Sequence, residues 1–242
     1  MDNYLDLMRA RREQILERFY AALDRAGRTH DAARLIAVSK TVGVDETVAA
    51  IQAGYRHFAE NRPQELVRKL AGLAEHPELP VVRFDMIGNL QTNKIKKVLG
   101  RASLIQSVDS EHLLTAIEKE AAKAGIVQDV LLEVNIGGEA SKSGVSPEQL
   151  WPLLDAAAAE EHIRVKGLMA IPPVNDDDAQ NRRYLAEVYR LFVQAGERGY
   201  ANVKMETLSM GMSGDFENAI REGATLVRIG TAIYGERDYS KK

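Results

Sequence analysis

The chain contains no cysteine. Disulfides, thiolate catalysis and cysteine-held metals are therefore excluded. It has no concentrated charge of one sign. The formal net charge is −3, with acids and bases spread along 242 residues, whereas a nucleic-acid binder more often shows a basic excess on one segment. No apolar run approaches the roughly 20 residues that cross a bilayer. The opening stretch, MDNYLDLMRARREQILERFY, is acidic and then heavily charged, unlike a secretory signal. There is no proline- or glycine-rich linker, no low-complexity tract and no tandem repeat beyond one alternating unit. The composition, 45% hydrophobic and 28% charged, is that of an ordinary folded protein. A cytoplasmic protein with no membrane and no nucleic-acid partner is expected.

That alternating unit is strand followed by helix. Leu5, Met8, Ile15, Leu16, Phe19 and Leu23 recur near helical spacing, and Gly27 is a plausible stop. Strand patterns then fall at 35–39, 55–59, 81–87, 104–108, 129–134, 164–169, 203–209 and 225–229. Helical patterns lie between them at 45–53, 61–74, 92–99, 110–124, 147–160, 178–198 and 214–222. Asp45, Asp109 with Ser110, and Ser146 with Pro147 mark helix starts. Eight parallel β/α units are the number that a closed barrel needs. The expectation is an α/β fold, a single (β/α)8 TIM barrel spanning 1–242 with an extra N-terminal helix. The polar stretch 172–181 reads as a βα loop.

In such a barrel the reactive groups sit at the C-terminal ends of the strands. The first strand, LIAVS, is followed at once by Lys40. A lysine held away from water loses part of its preference for the charged form, and its neutral amine is a nucleophile toward aldehydes. The competing reading pairs Lys40 with Glu60 or leaves it in an open loop. The block LSMGMSGDFENAI, 208–220, joins a strand to a helix through glycines and serines. Its first-turn N–H groups and the Ser213 hydroxyl suit a phosphate; the competing reading has Ser213 capping its own helix. VRIGTAIYG, 227–235, offers Gly230 and Thr231 at the next strand end, and barrels often place a phosphate in these last two loops. Arg228 alternates with Val227 and Ile229, so it points into the barrel, where it needs acceptors. Glu206 and a ligand nitrogen are the candidates.

The segments IAVSKTVGVDETVAAIQAGYRHFAENRPQELVRKL, MIGNLQTNK, SVDS, EVNIGGEASKSGV, VKGLMAIPP and LSMGMSGDFENAIREGATLVRIGTAIYG occur in order. Together, from about residue 5 to 237, they resemble the pyridoxal phosphate homeostasis protein family, also called the proline synthetase co-transcribed family. The resemblance implies a barrel similar to the N-terminal domain of alanine racemase. It implies pyridoxal 5′-phosphate (PLP) as cofactor, held as an aldimine on Lys40. Ser213, Gly230 and Thr231 match the phosphate-binding positions, Arg228 the arginine facing the pyridine nitrogen, and Asn61 the asparagine beside the ring. Two departures stand out: Phe84-Asp85-Met86 where an aromatic-His pair is common, and Pro63 in the ENRPQE segment.

The resemblance further implies a PLP-binding protein of vitamin B6 homeostasis rather than an established enzyme. PLP-dependent apoenzymes are the candidate recipients, and a monomer or weak dimer is expected. An arginine opposite the ring nitrogen disfavours a second positive charge there and so weakens carbanion chemistry. Alanine racemase shares that arginine but adds a tyrosine base from another domain, which a chain of this length is expected to lack. Tyr55, Tyr200 and Tyr234 have no defensible position as that base. A PLP-dependent racemase and a Schiff-base aldolase are the alternatives. Lys142 sits in a glycine-flanked loop and reads mainly as solvated. Glu60 and Asp109 have no fixed role, and the basic run 94–101 reads as a wet face.

Overall fold

The computed structural model describes residues 2–139, 141–173 and 177–235. Val174 to Asp176 of the 172–181 loop and Ala140 of the Lys142 loop lie outside these residues, as does the end of the chain from 236. Helix α1, Asp2–Arg25, comes first. Then strand and helix alternate: β1 Arg34–Val38, α2 Val44–Gln52, β2 His57–Glu60, α3 Pro63–Leu73, β3 Arg83–Met86, a 3-10 turn at Thr92–Lys97, and β4 Leu104–Val108. The second half follows as α4 Glu111–Ala124, β5 Gln128–Val134, α5 Leu150–Ala158, β6 Ile163–Ala170, α6 Asp178–Gly196, β7 Val203–Ser209, α7 Phe216–Arg221, β8 Leu226–Ile229 and α8 Thr231–Tyr234. The strands close into one parallel barrel in sequence order, with β1 bonding back to β8 through pairs such as Ile36 with Arg228.

Sequence expectation and structure differ at several boundaries. The helix expected over 92–99 is a 3-10 turn. The second helix starts before Asp45, because Glu46 turns back to accept the Gly43 N–H at 2.8 Å. Ser146 does mark a start, with its hydroxyl accepting from the Gln149 N–H at 3.3 Å while the Gln149 side chain accepts from the Ser146 N–H at 3.2 Å. Regular helix begins only at Leu150. Strands expected at 55 and 81 begin two residues later.

The pleat sorts side chains to two sides. One side of each strand joins the main core beneath the helices, where Phe58 and Phe84 stack at 5.4 Å. Residues of the other parity form small separate clusters inside the barrel: Ile36, Val38, Ala59 and Leu226, and Leu104, Leu131 and Met169. Helix α1 packs its buried face, Met8, Ile15, Phe19 and Leu23, against α2, α7 and α8. Arg11 donates to the Ile233 carbonyl at 3.1 Å, and Arg28 donates to the Ile220 and Ala224 carbonyls at 2.7 and 2.8 Å. The extra helix therefore braces the two elements that follow the last two strands.

Candidate functional site

Lys40 lies two residues after the end of β1, at the C-terminal mouth of the barrel, and is half-buried. It lines a cavity of about 540 Å³ together with Asn61, Ser213, Arg228, Gly230 and Thr231. That volume is within the range of sites for small ligands. All six candidate residues thus share one cavity, which spacing alone left open. The residue after Lys40 is Thr41, whose φ of 72° makes it the only non-glycine residue with positive φ among those described. A β-branched residue in that conformation is strained, and the strain sits beside the amine.

The proposed pairing of Lys40 with Glu60 does not form. Glu60 faces outward from β2 and is fully buried against α3, where it bonds the Lys69 ammonium. The Ser39 hydroxyl donates to the same carboxylate at 2.6 Å, and Lys69 also donates to the Ser39 carbonyl. The ion pair therefore grips the residue before Lys40, from behind the barrel wall. β2 and β3 also meet closely at their mouths. A Cβ placed on Gly88 would stand 2.1 Å from the Asn61 carbonyl oxygen, so only glycine lets this part of the cavity wall close.

Ser213 does not cap its own helix. Its hydroxyl oxygen accepts from the Gly230 and Ala232 N–H groups, each at 3.3 Å, which ties the loop after β7 to the loop after β8. Asp215, the residue before α7, makes no side-chain cap bond either; its carboxylate accepts from the Met212 N–H at 2.6 Å, within the loop ahead of the helix. Two bonds of 3.3 Å to a single neutral hydroxyl are long. The donors are weakly engaged, and a phosphate would hold them more strongly.

Arg228 lies inside the barrel, 3% exposed. It donates to the Ser209 hydroxyl at 2.7 Å and to the Ala170 carbonyl at 2.9 Å. Glu206 is not its partner: that carboxylate pairs with Lys166 on the outer side of β7. Burial pulls the Arg228 guanidinium down to about 10, while Asp215 and Glu133 act the other way, so it is charged at neutral pH.

Glu133, on β5, is a cavity residue that the sequence reading missed. Burial first, and the neighbouring Asp109 second, push its carboxyl up to about 7, with Arg228 opposing. The missed signal was the alternation that singled out Arg228. Leu131 and Glu133 share the inner face of β5, so a carboxylate there enters the barrel. Lys142 is half-buried rather than solvated; it lines the cavity, pairs with Glu139 at 2.5 Å and reaches the Pro172 carbonyl at 3.3 Å. Asp109 accepts from Asn89 at 3.3 Å. Tyr55, Tyr200 and Tyr234 do not line the cavity. Among the described residues no group of His, Asp and Glu is placed to hold a metal ion, and no helix is long and apolar enough to cross a membrane.

Residues 15–238 match the family model described as the N-terminal domain of alanine racemase. A pyridoxal phosphate homeostasis protein of Aquifex aeolicus is 43% identical over 229 residues, covering 95% of this chain and 98% of the relative. That of Vibrio cholerae is 39% identical, covering 95% and 96%. The structure of PipY from Synechococcus elongatus with PLP bound matches at TM-score 0.77 and 31% identity, covering 91% of this chain and 100% of that one. Alanine racemase from Streptomyces lavendulae matches at TM-score 0.75 with 20% identity over 58% of its length, a likeness of fold.

Proposed function

The chain belongs to the family of pyridoxal phosphate homeostasis proteins built on the alanine racemase N-terminal domain, and from that premise we propose that it binds PLP in its barrel mouth and serves vitamin B6 homeostasis. The observation that carries the reading is the meeting of Lys40, the Ser213–Gly230–Thr231 cradle and Arg228 in one cavity. PLP supplies an aldehyde that bonds a primary amine and a phosphate that needs N–H and hydroxyl donors.

Each residue has a place in that binding. Lys40 offers the amine that attaches the cofactor covalently. Ser213, Gly230 and Thr231 hold the phosphate, with the Ser213 hydroxyl free to turn from acceptor to donor. Arg228 faces the ring nitrogen and, being charged, keeps that nitrogen unprotonated. Asn61, its backbone closely approached by Gly88, would lie beside the ring. The 1–242 barrel acts as one unit in the cytoplasm, as a monomer or weak dimer, and passes the cofactor to PLP-dependent apoenzymes.

The test is an absorption spectrum of purified, PLP-loaded protein before and after borohydride, with mapping of the labelled peptide. Label on Lys40, and loss of the long-wavelength band in Lys40→Ala, are expected. Label elsewhere overturns the assignment. Amino-acid chemistry is a second reading because Glu133, a carboxyl near neutrality, stands in the same cavity. Proton–deuteron exchange at the Cα of amino acids separates the two: rapid exchange abolished in Glu133→Gln establishes the enzyme.

A further inference from the structure

Taking Arg228 as the residue opposite the cofactor ring, as proposed above, we infer that Asp85, Gln106 and Ser209 form a buried relay that positions its guanidinium. The relay runs across the barrel interior from β3 through β4 and β7 to β8. Asp85, Gln106 and Ser209 are each fully buried. Gln106 Nε2 donates to Asp85 Oδ2 at 2.7 Å. The Ser209 hydroxyl donates to Gln106 Oε1 at 2.6 Å and accepts from Arg228 at 2.7 Å. At the far end His57 Nε2 stands 3.0 Å from Asp85 Oδ1, a close contact without the alignment of a hydrogen bond.

Donor and acceptor inventory gives the relay one direction. Asp85 Oδ2 accepts from the Gln106 amide N–H2, so that N–H2 faces β3 and the amide oxygen faces β7. That oxygen claims the only proton of the Ser209 hydroxyl. The Ser209 lone pair is left for Arg228, and the Ala170 carbonyl takes a second guanidinium N–H. Arg228 is thus held at two points, and it lines the cavity. Among the described residues no carboxylate stands within ion-pair distance of Arg228; Asp215 and Glu133 act on its charge from farther off, and Asp85 reaches it through two hydrogen-bonded links, Gln106 and Ser209. Asp85 is the anchor of this chain of bonds.

A positioning role makes a prediction that a merely structural one does not. Affinities for PLP and for 1-deazapyridoxal phosphate, which has C–H in place of the ring nitrogen, are measured on the full chain by absorbance titration. Wild type prefers PLP. Gln106→Leu and Ser209→Ala lose that preference by about tenfold, the scale of one hydrogen bond to a charged group. Gln106→His, whose ring both donates and accepts, keeps it. A loosened cavity would weaken both aldehydes alike and leave their ratio unchanged. If either folded variant, Gln106→Leu or Ser209→Ala, retains the wild-type ratio, the relay is overturned while PLP binding stands. Wild type binding both aldehydes equally overturns the role of Arg228 and the relay with it; wild type binding neither, with Lys40 unlabelled, overturns the PLP reading itself.

Discussion

Glu133 is a carboxyl that the fold holds at a cost. Its folded affinity for a proton is raised to about 7 from the ordinary 4.5. Between those two values the folded apo-protein keeps a proton that the unfolded chain has released. Stability therefore falls as pH rises through this window. Glu133→Gln removes the ionisation, so the apo-protein should unfold at nearly the same denaturant midpoint across the window and be more stable than wild type at pH 8 by about 1–3 kcal/mol. A variant that still loses stability between those pH values shows that the dependence arises elsewhere. Gly88 makes a second point at this scale. Gly88→Ala must displace the Asn61 backbone, at about 1–3 kcal/mol of stability. Denaturation and PLP titration of this variant are expected to show both a lower midpoint and weaker binding.

At the scale of elements, the pocket depends on how β1 is held from outside. Glu60 on β2 and Lys69 on α3 are both fully buried. They grip Ser39 at the carbonyl and at the hydroxyl, so the helix packed on the barrel sets the strand end that carries Lys40. Removing one member leaves a buried charge without its partner. Lys69→Met should cost about 3–5 kcal/mol, and Glu60→Leu/Lys69→Met much less, because neither charge is then stranded. Urea unfolding of the two single variants and the double variant measures this. A double variant as unstable as the sum of the singles would show that the pair is not coupled.

At the scale of the whole molecule, the barrel brings residues from opposite ends of the sequence to one mouth, and Arg11 of α1 together with Arg28 in the turn after it steadies the last helices. A ligand joining β1 to the loops after β7 and β8 ties the closure of the barrel together. PLP at about 100 times its dissociation constant should add about 2.7 kcal/mol, or roughly 5–10 °C in melting temperature for a chain of this size. Thermal melts with and without PLP test it. Lys40→Ala should show a much smaller rise, and an equal rise would mean that the amine contributes nothing to retention.

The sequence by itself determined the order of elements, because period-2 and period-3.6 patterns are local, and eight repeats of that order permit barrel closure. It also marked Lys40, Gly230 and Thr231 at strand ends, Ser213 in the loop after β7 and Arg228 within β8, since a charge, a hydroxyl or a glycine stands out against apolar neighbours. Only the tertiary structure decided which acceptors those groups meet. Ser213 reaches across to Gly230 rather than its own helix, Glu60 takes Lys69 rather than Lys40, and Arg228 takes Ser209 rather than Glu206. Hydrogen-bond partners between strands distant in the chain depend on barrel register and on which face each strand turns inward. Both are set when the sheet closes, a step that no local pattern records.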